Sequence, residues 1–320
     1  MGDILKYRIP GKEKVEKRGF FAATMHREVK SGFVLFAFDK YKAYTFQDDD
    51  EEGFSFYHFR DQLPNADDRD AYLARAAEFK KEIIQRELSK AILSRVKIVQ
   101  KEVDPDAFFE KLCEAYPNAF VYLVSSTHFG TWIGATPEPL IIAHENIGTT
   151  VALAGTKPSE DDTEWGEKEK EEQFFVQEYI AEALESLDIE EIQMEGPVAH
   201  RAGPVQHLKS TFHFSLEGKC VLDVARRLHP TPAVSGSPQR ESIKLITESE
   251  LHDRSLYCGF LGEVNDDSAH VYVNLRCAQL FKEKIALYLG GGYTKDSIIE
   301  YEWEETENKA KTLLSVIENL

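Results

Sequence analysis

The sequence has few cysteines and no long apolar run. Its four cysteines, among 320 residues, form no C-x-x-C pair, which argues against a disulfide framework and predicts small buried thiols. The ten histidines form no H-x-H or H-x-x-x-H pair, so a zinc site of His and Cys is not expected. No apolar run approaches the roughly 20 residues of a membrane helix, and the N-terminal segment lacks the apolar core of a secretory signal. These absences predict a cytoplasmic protein.

Positively charged residues are also fewer than negatively charged ones. The chain has 38 Lys and Arg against 56 Asp and Glu, a formal net charge of −18. Phosphate contacts need a basic surface, so we expect no nucleic-acid partner, and anionic membranes should repel the chain. The surplus of carboxylates indicates that any bound metal is a hard cation with oxygen ligands.

Hydrophobic periodicity predicts a mixed fold in which strands come in runs. This pattern favours one large α+β domain of layered antiparallel β-sheets with peripheral helices over a strictly alternating α/β fold. A capping-box pattern, Ser297 to Glu300, indicates where the last helix opens. The predicted helices cover 72–89, 105–116 and 164–187, and the predicted strands include 119–125, 207–215, 255–264, 269–280 and 284–290.

Two predicted helices carry carboxylates beside an apolar stripe. In the helix over 164–187, Glu172 falls on the same face as Phe175 and Tyr179. A carboxylate on a buried face needs a partner or a metal, although the helix dipole could also favour it at this end. In the last helix, Glu305 and Lys309 form an i,i+4 pair, for which a surface salt bridge is the simpler explanation. Alternatively, the two acidic faces converge on one divalent cation.

Basic residues and glycines within apolar segments indicate an anion site. Lys90 and Arg95 flank the apolar "AILS", and Arg276 lies in the strand-like "VYVNLRCAQL". The glycines of "LGGGY" at 289–293 follow a strand and precede the last helix. Successive glycine amides at such a place can cradle an anion. The glycine spacing matches neither G-x-G-x-x-G nor a P-loop, so it does not indicate a nucleotide.

Nine segments in register resemble the chorismate-utilising enzymes. This family includes isochorismate synthase, salicylate synthase and the large subunits of anthranilate and aminodeoxychorismate synthases. The resemblance covers roughly 84–320, and leaves 1–83 as a divergent N-terminal part of the same domain. The segments are "KAILSR" (90–95), "GATPEPLI" (134–141), "LAGT" (153–156), "EKEKEEQFFVQEYI" (167–180), "HLKS" (207–210), "HPTPAVSGSP" (229–238), "ESELHDRSLYCGFLG" (248–262), "NLR" (274–276) and "LGGGYTKDSIIEYEWEETENKA" (289–310).

The resemblance implies layered antiparallel sheets around a Mg²⁺-dependent site. Glu172 and Glu305 correspond to the Mg²⁺ ligands, with Glu302 nearby. Lys90 corresponds to the general base that activates water, and Glu138 to the general acid that protonates the departing hydroxyl. The remaining correspondences are to substrate contacts, namely Gly155, Thr156, His207, Tyr257, Arg276, Gly290, Gly292 and Lys309.

Three positions distinguish activities within the family. Anthranilate-type members resemble one another in having Gln at the position of Lys90. Aminodeoxychorismate synthases often carry a nucleophilic Lys at the position of Ala154, and salicylate synthases tend to have Thr at that of Ala233. The resemblance therefore implies an isochorismate synthase that acts on chorismate, without a glutaminase subunit, and that feeds menaquinone or siderophore biosynthesis. Salicylate synthase is the alternative, and a non-catalytic anion-binding homologue is an alternative of another class.

The sequence departs from the family pattern at three places. Gln173 replaces the usual His, Lys157 replaces the common Arg, and "GGGY" replaces the usual "GAGI". None of them is a proposed catalytic group, but the last two bear on the substrate contacts.

Overall fold

Strands make up most of the regular structure in this computed structural model. It describes residues 2–25, 29–39, 42–49, 55–58, 63–202 and 205–320, without the side chains of Thr156, Pro158, Lys168, Ala202 and Val205. The strands within these residues are β1 (Asp3–Arg8), β2 (Lys14–Thr24), β3 (Gly32–Phe36), β4 (Ala43–Asp48), β5 (Lys90–Gln100), β6 (Phe120–Ser126), β7 (Gly130–Thr136), β8 (Pro139–His144), β9 (Ile147–Pro158), β10 (Ile192–Ala202), β11 (Val205–Ser215), β12 (Gly236–Ser237), β13 (Phe260–Val264), β14 (Ser268–Val273), β15 (Cys277–Leu280) and β16 (Lys284–Tyr293). The helices are α1 (Arg69–Gln85), α2 (Pro105–Ala115), α3 (Glu167–Glu185), α4 (Val221–Leu228), α5 (Gln239–Ser249) and α6 (Ile299–Ile317).

All of these strands belong to one hydrogen-bonded sheet. Its order is β10-β11-β9-β8-β14-β13-β3-β4-β2-β1-β6-β7-β15-β16-β5-β12, and every described pair is antiparallel. The N-terminal strands β1 to β4 lie in the middle of this order, where they join its two arms.

The sheet folds over so that its arms pack face to face. Phe120 of β6 and Tyr272 of β14 lie six strands apart in the order, which in a flat sheet would separate them by roughly 29 Å. Their rings nevertheless stack with centroids 4.6 Å apart. Tyr7 of β1 likewise donates to Glu263 of β13 at 2.5 Å. The predicted α+β domain of layered antiparallel sheets is therefore confirmed.

Two strands run from one arm into the other through paired breaks. Residues 137–138 separate β7 from β8, and residues 274–276 separate β14 from β15. The two breaks lie side by side, because the Val273 N–H donates to the Glu138 carbonyl at 3.0 Å and the Ala135 N–H to the Arg276 carbonyl at 3.1 Å. We call this pair of breaks the corner.

The helices cover the outer faces of the sheet and enclose two further cores. Side chains of α2 and α6 pack against outward-facing residues of β6, β7, β15 and β16. Those of α1 and α5 pack against Ala91 and Leu93 of β5. The largest core lies between the two arms. No helix in the described part of the chain is long and apolar enough to span a membrane.

Several local predictions agree with the structure, and three are wrong. Helices α1, α2 and α3 overlap the predicted ranges, and all four cysteines are free, with three of them buried. The capping box does not form, because Ser297 Oγ donates to Glu302 at 2.8 Å and Ile298 occupies the N-cap. The strand predicted over 269–280 is broken at the corner, and Phe175 is 50% exposed rather than part of the apolar stripe. Most of the acidic run at 48–53 lies outside the described residues.

Candidate active site

The corner places Glu138 and Arg276 beside each other. Burial raises the pKa of Glu138 to about 7, although the positive charges of Lys309, Arg276 and Lys90 act to lower it. Burial also lowers the pKa of Arg276, against the opposing effect of Tyr257, Glu305 and Glu138. Arg276 has a φ of +48°, a left-handed conformation that is uncommon for a residue with a long side chain and often marks a functional position.

Helix α6 brings an ion pair to the same place. Lys309 Nζ contacts Glu305 Oε1 at 2.5 Å and donates to the Gly290 carbonyl at 2.7 Å. Burial acts to raise the pKa of Glu305, but Lys309, Lys90 and Arg276 together lower it. Lys90, Glu138, Arg276, Glu305 and Lys309 thus act on one another electrostatically, and we call them the charged cluster.

Lys90 opens strand β5 and lies against the glycines of β16. A Cβ on Gly292 would stand 2.7 Å from Lys90 Cε, and one on Gly290 would stand 2.7 Å from the Tyr257 hydroxyl oxygen. Any larger residue at either position would displace one of these side chains. The two glycines therefore leave space for the Lys90 side chain and the Tyr257 hydroxyl, at the end of the core between the two arms.

The peptide groups of these glycines turn away from β5. Gly290 pairs with Ser94, and Gly292 pairs with Ile92, but the N–H groups of Ser94 and Ile92 donate to partners on the other side of β5. Paired residues of an antiparallel ladder direct their peptide groups alike, so those of both glycines also face away. Because β15 pairs with β16 only as far as Leu287, the amides border the charged cluster. The glycines lie within a strand, not in a loop before a helix as the sequence pattern indicated.

Helix α3 carries Glu172, and the next residue, Gln173, attaches the helix to the sheet. Gln173 is buried, accepts from the Ala154 N–H at 2.9 Å, and donates to the Ala152 carbonyl at 3.2 Å and to Ser210 Oγ at 3.0 Å. This amide joins α3 to β9 and β11, which accounts for a residue that departs from the family pattern. Glu172 itself is half-buried.

Strand β11 places His207 at the side of the cluster. Its Nδ1 lies 3.3 Å from the Gly155 carbonyl. Burial lowers the pKa of His207, although Gly155 and Glu305 act to raise it, so the ring is neutral near pH 7. The backbone of Thr156 pairs with His207, but the Thr156 side chain lies outside the described part of the structure.

The structure thus brings together the predicted acid, the predicted base and the predicted anion-binding groups. Glu302 faces the same region: burial raises its pKa, as does the charge of Glu305, whereas Ser297 acts to lower it. Within the described residues, no three His, Cys, Asp or Glu side chains form a group that could hold a metal ion. The roles assigned to the site residues, Glu172 included, remain predictions.

Arg95 does not belong to the anion site, contrary to the sequence-based expectation. It lies on the opposite face of β5 from Lys90, is 2% exposed, and stacks 3.8 Å from the Trp303 ring centroid. Its guanidinium donates to Thr306 Oγ1 at 2.8 Å and also bonds Glu307. Arg95 lies five positions after Lys90, and residues an odd number of positions apart point to opposite faces of a strand.

Lys157 is directed into its own loop. Its ammonium lies 4.6 Å from the Trp165 ring centroid and donates to the Thr163 carbonyl. It therefore fastens the connection between β9 and α3.

A buried network beside the cluster was not identified from the sequence. Glu250 and Arg254 form an ion pair at 2.7 Å, and Ser94 Oγ donates to Glu250 at 2.7 Å. The i,i+4 spacing of these charges within "ESELHDRS" was the available signal.

A separate cavity lies away from the charged cluster. It has a volume of about 340 Å³ and contains none of the predicted site residues. Its lining includes Asn65, His128, His252, Asp253, Gln279 and Tyr288.

Comparisons with known proteins identify a family profile and several relatives. Residues 38–318 match the sequence profile of the chorismate binding enzyme family. The chain is 29% identical to isochorismate synthase MenF of Haemophilus influenzae over 252 residues, covering 73% of this chain and 57% of that protein. It is also 29% identical to isochorismate synthase EntC of Escherichia coli over 275 residues, covering 80% and 68%. The chain therefore spans little more than half of the first relative and about two thirds of the second.

Solved structures show the same fold. The menaquinone-specific isochorismate synthase MenF from Escherichia coli superposes with a TM-score of 0.83 at 20% identity, over 98% of this chain and 88% of that one. Because the family profile matches most of the sequence, this chain belongs to the chorismate binding enzyme family.

Proposed function

We propose that this protein is an isochorismate synthase that interconverts chorismate and isochorismate. The observation that carries the proposal is the charged cluster, in which a lysine and a half-buried glutamic acid act on one site among cationic groups. Chorismate is a dianion, and the protein carries a net charge of −18. Local cations must therefore offset the repulsion between the protein and its substrate.

The anion-binding groups lie beside the proposed catalytic pair. Arg276 and Lys309 supply positive charge, and the amides of Gly290 and Gly292 supply donors along the β16 edge. We propose that these groups hold the substrate carboxylates, with Gly155, Thr156, His207 and Tyr257 contacting the ring and its hydroxyls. Tyr257 and His207 are suited to such contacts, because burial raises the pKa of Tyr257 and lowers that of His207, which keeps both uncharged.

The reaction adds water at C2, expels the C4 hydroxyl and moves the double bonds. Lys90 accepts a proton from the incoming water. Glu138 donates a proton to the departing hydroxyl, which is otherwise a poor leaving group. A carboxyl group whose pKa is about 7 is protonated in about half of the molecules at neutral pH, so it can serve as that acid.

We propose that acidic residues of the site would hold a magnesium ion. Glu302 and Glu305 lie close enough for Glu305 to raise the pKa of Glu302, and carboxylate oxygens are the donors that Mg²⁺ prefers. We propose that Glu172 and Glu305 hold the ion, with Glu302 beside them. When bound, Mg²⁺ would neutralise a substrate carboxylate and draw negative charge from the ring.

The decisive experiment is to incubate the protein with chorismate and Mg²⁺ and to identify the product. Chorismate and isochorismate have the same mass, so NMR must distinguish them. We expect a mixture of the two at equilibrium, no aminated product when ammonium is added, and no pyruvate in a coupled lactate dehydrogenase assay. Pyruvate formed at the rate of chorismate loss would instead identify a salicylate synthase, and binding without turnover would identify a non-catalytic homologue. We further propose that the product feeds menaquinone or siderophore biosynthesis.

A further inference from the structure

A small cavity adjoins Glu138. Its volume is about 20 Å³, which is room for a single water molecule. Its polar lining comes from Glu138, Thr150 and Thr231, and Lys90, Arg276 and Lys309 do not border it. The other lining residues are Pro139, Leu140, Val151, Leu153, Val176, Ile180, Leu228, Pro232 and Ala233.

Thr231 presents a buried hydroxyl on a rigid loop. Its backbone carbonyl accepts from the N–H groups of Val234 and Ser235, both at 3.0 Å, and from Ser235 Oγ at 2.9 Å. Its Oγ1 is buried and finds no hydrogen-bond partner among the described residues. Buried hydroxyl groups in folded proteins nearly always have a partner, from the protein or from ordered water.

The other two polar groups have bonding capacity that matches one water molecule. Thr150 Oγ1 donates its hydrogen to the Leu140 carbonyl at 2.7 Å, so its lone pairs can accept. The Glu138 backbone is fixed by Val273 at the corner, while the hydrogen bonds found among the described residues leave its carboxyl oxygens available. A buried water typically makes about three hydrogen bonds, and this cavity supplies three partners.

We propose that Thr231 is a positioning residue for Glu138 and acts through one water molecule held in this cavity. The Thr231 hydroxyl donates to the water, which donates to Thr150 Oγ1 and to the carbonyl oxygen of the Glu138 carboxyl group. That carboxyl oxygen is thereby held toward the cavity. The other oxygen, which bears the proton, is turned toward the charged cluster. This inference rests on the proposed role of Glu138 as the general acid.

Because of the charges around Glu138, its pKa is a suitable reporter of the proposed water contact. Lys309 of α6, Arg276 of the corner and Lys90 of β5 face it from the cluster, whereas neutral hydroxyl groups face it from the cavity. A hydrogen bond donated to the carboxyl group favours its ionised form. Loss of the water contact should therefore raise the pKa of Glu138 above its value of about 7.

The test compares Thr231→Val, which removes the hydroxyl at constant shape, with Thr231→Ser, which keeps it. Thr247→Val is the control, since Thr247 is exposed on α5. Infrared difference spectra of the free protein against Glu138→Gln isolate the carboxyl band of Glu138 as pH is varied. We expect Thr231→Val to raise the band frequency, to move the pKa toward about 8 and to lower kcat about 10-fold at similar KM. Thr231→Ser and Thr247→Val should match the wild type.

The outcomes separate this inference from the proposed function. Unchanged band, pKa and kcat in Thr231→Val would overturn the positioning role, even if the wild type converts chorismate. A lower kcat with an unchanged band and pKa would also overturn it, because a general packing defect would then suffice. A shifted band in a protein that does not convert chorismate would support the contact and contradict the function.

Discussion

Two groups of charges lie beside the first residues of β5 and differ in how they are satisfied. The Glu250–Arg254 pair is buried and bonds Ile92 and Ser94, whereas the charged cluster includes Lys90 and is partly exposed. In the Glu250–Arg254 pair, the Arg254 guanidinium donates to both Glu250 oxygens and to two backbone carbonyls, at 2.7–2.9 Å. Glu250 also accepts from the N–H and Oγ of Ser94, each at 2.7 Å. Every charge in this pair is therefore matched by the protein itself.

The charged cluster shows the opposite arrangement. Among the hydrogen bonds of the described residues, none involves the Glu138 carboxyl group, the Arg276 guanidinium or the Lys90 ammonium. Burial acts to raise the pKa of both Glu138 and Glu250, but Arg254 lowers that of Glu250 overall, whereas the pKa of Glu138 rises to about 7. We infer that charges satisfied by the protein hold the fold, and that charges left with bonding capacity serve a ligand.

The largest expected effect is on the proposed metal ligands. Glu305→Ala and Glu172→Ala should each lower turnover of chorismate by more than about 10³-fold, the loss expected when charge stabilisation by a metal is removed. The exposed neighbours Glu304 and Glu171 provide matched alanine controls that should retain activity. Full turnover in excess EDTA would contradict the metal assignment.

The next effect is on the proposed acid and base. Lys90→Ala and Glu138→Gln should lower kcat by about 10²–10⁴-fold, the usual value of a positioned proton transfer. Thermal unfolding should change little, because neither the Lys90 ammonium nor the Glu138 carboxyl group makes a hydrogen bond among the described residues. A variant with kcat near that of the wild type would remove its residue from the mechanism.

A change in the Glu250–Arg254 pair should affect the stability of the fold more than changes in the charged cluster do. Arg254→Met leaves Glu250 buried without its counter-charge, and we expect a loss of about 3–5 kcal/mol in the free energy of unfolding. Urea denaturation measures this loss. Arg86→Met is the control, since Arg86 makes more exposed ion pairs with Glu82 and Glu248 and should lose less than about 1 kcal/mol. Equal losses in the two variants would contradict the comparison.

The smallest effect concerns acid stability. The pKa of Glu250 in the folded protein lies below its ordinary value, so its ionised form favours folding. This stabilisation is complete above the unfolded pKa of about 4.3 and disappears as pH falls through the lower, folded value. In Glu250→Gln, the free energy of unfolding measured between about pH 5 and pH 2 should therefore depend less steeply on pH. An unchanged slope would show that Glu250 does not contribute.

Local patterns predicted the helices better than the strand breaks. Helix α2 follows its predicted range closely because Asp104 caps it, accepting from Ala107 N–H at 2.7 Å, and Pro105 opens it. The break at 274–276 has no local cause in "VNLR", because it depends on the neighbouring strand turning at 137–138. Ser297 shows the same limit, because its hydroxyl donates to Glu302 and does not cap the helix.

The site residues were identified mainly by resemblance, and physical reasoning explains part of them. Glu172 and Glu305 could be singled out as carboxylates beside apolar stripes, but one sequence does not show that two helices converge. Arg95 illustrates the reverse error: a buried arginine in an apolar strand is as well explained by Trp303 and Glu307 as by a ligand. Thr231 gave no signal, because its importance depends on which side chains enclose it.

At the corner, the number of residues in each break matters more than which residues they are. The Glu138 carbonyl accepts from the Val273 N–H, and the Arg276 carbonyl accepts from the Ala135 N–H, so the spacing of Glu138 and Arg276 is set by residue count. Deleting Pro137 would shift β8 by one position against β14 and turn its alternate side chains to the opposite face. Substitution libraries at 137 and 275 should therefore retain many active variants, whereas libraries of insertions and deletions at the same places should retain almost none.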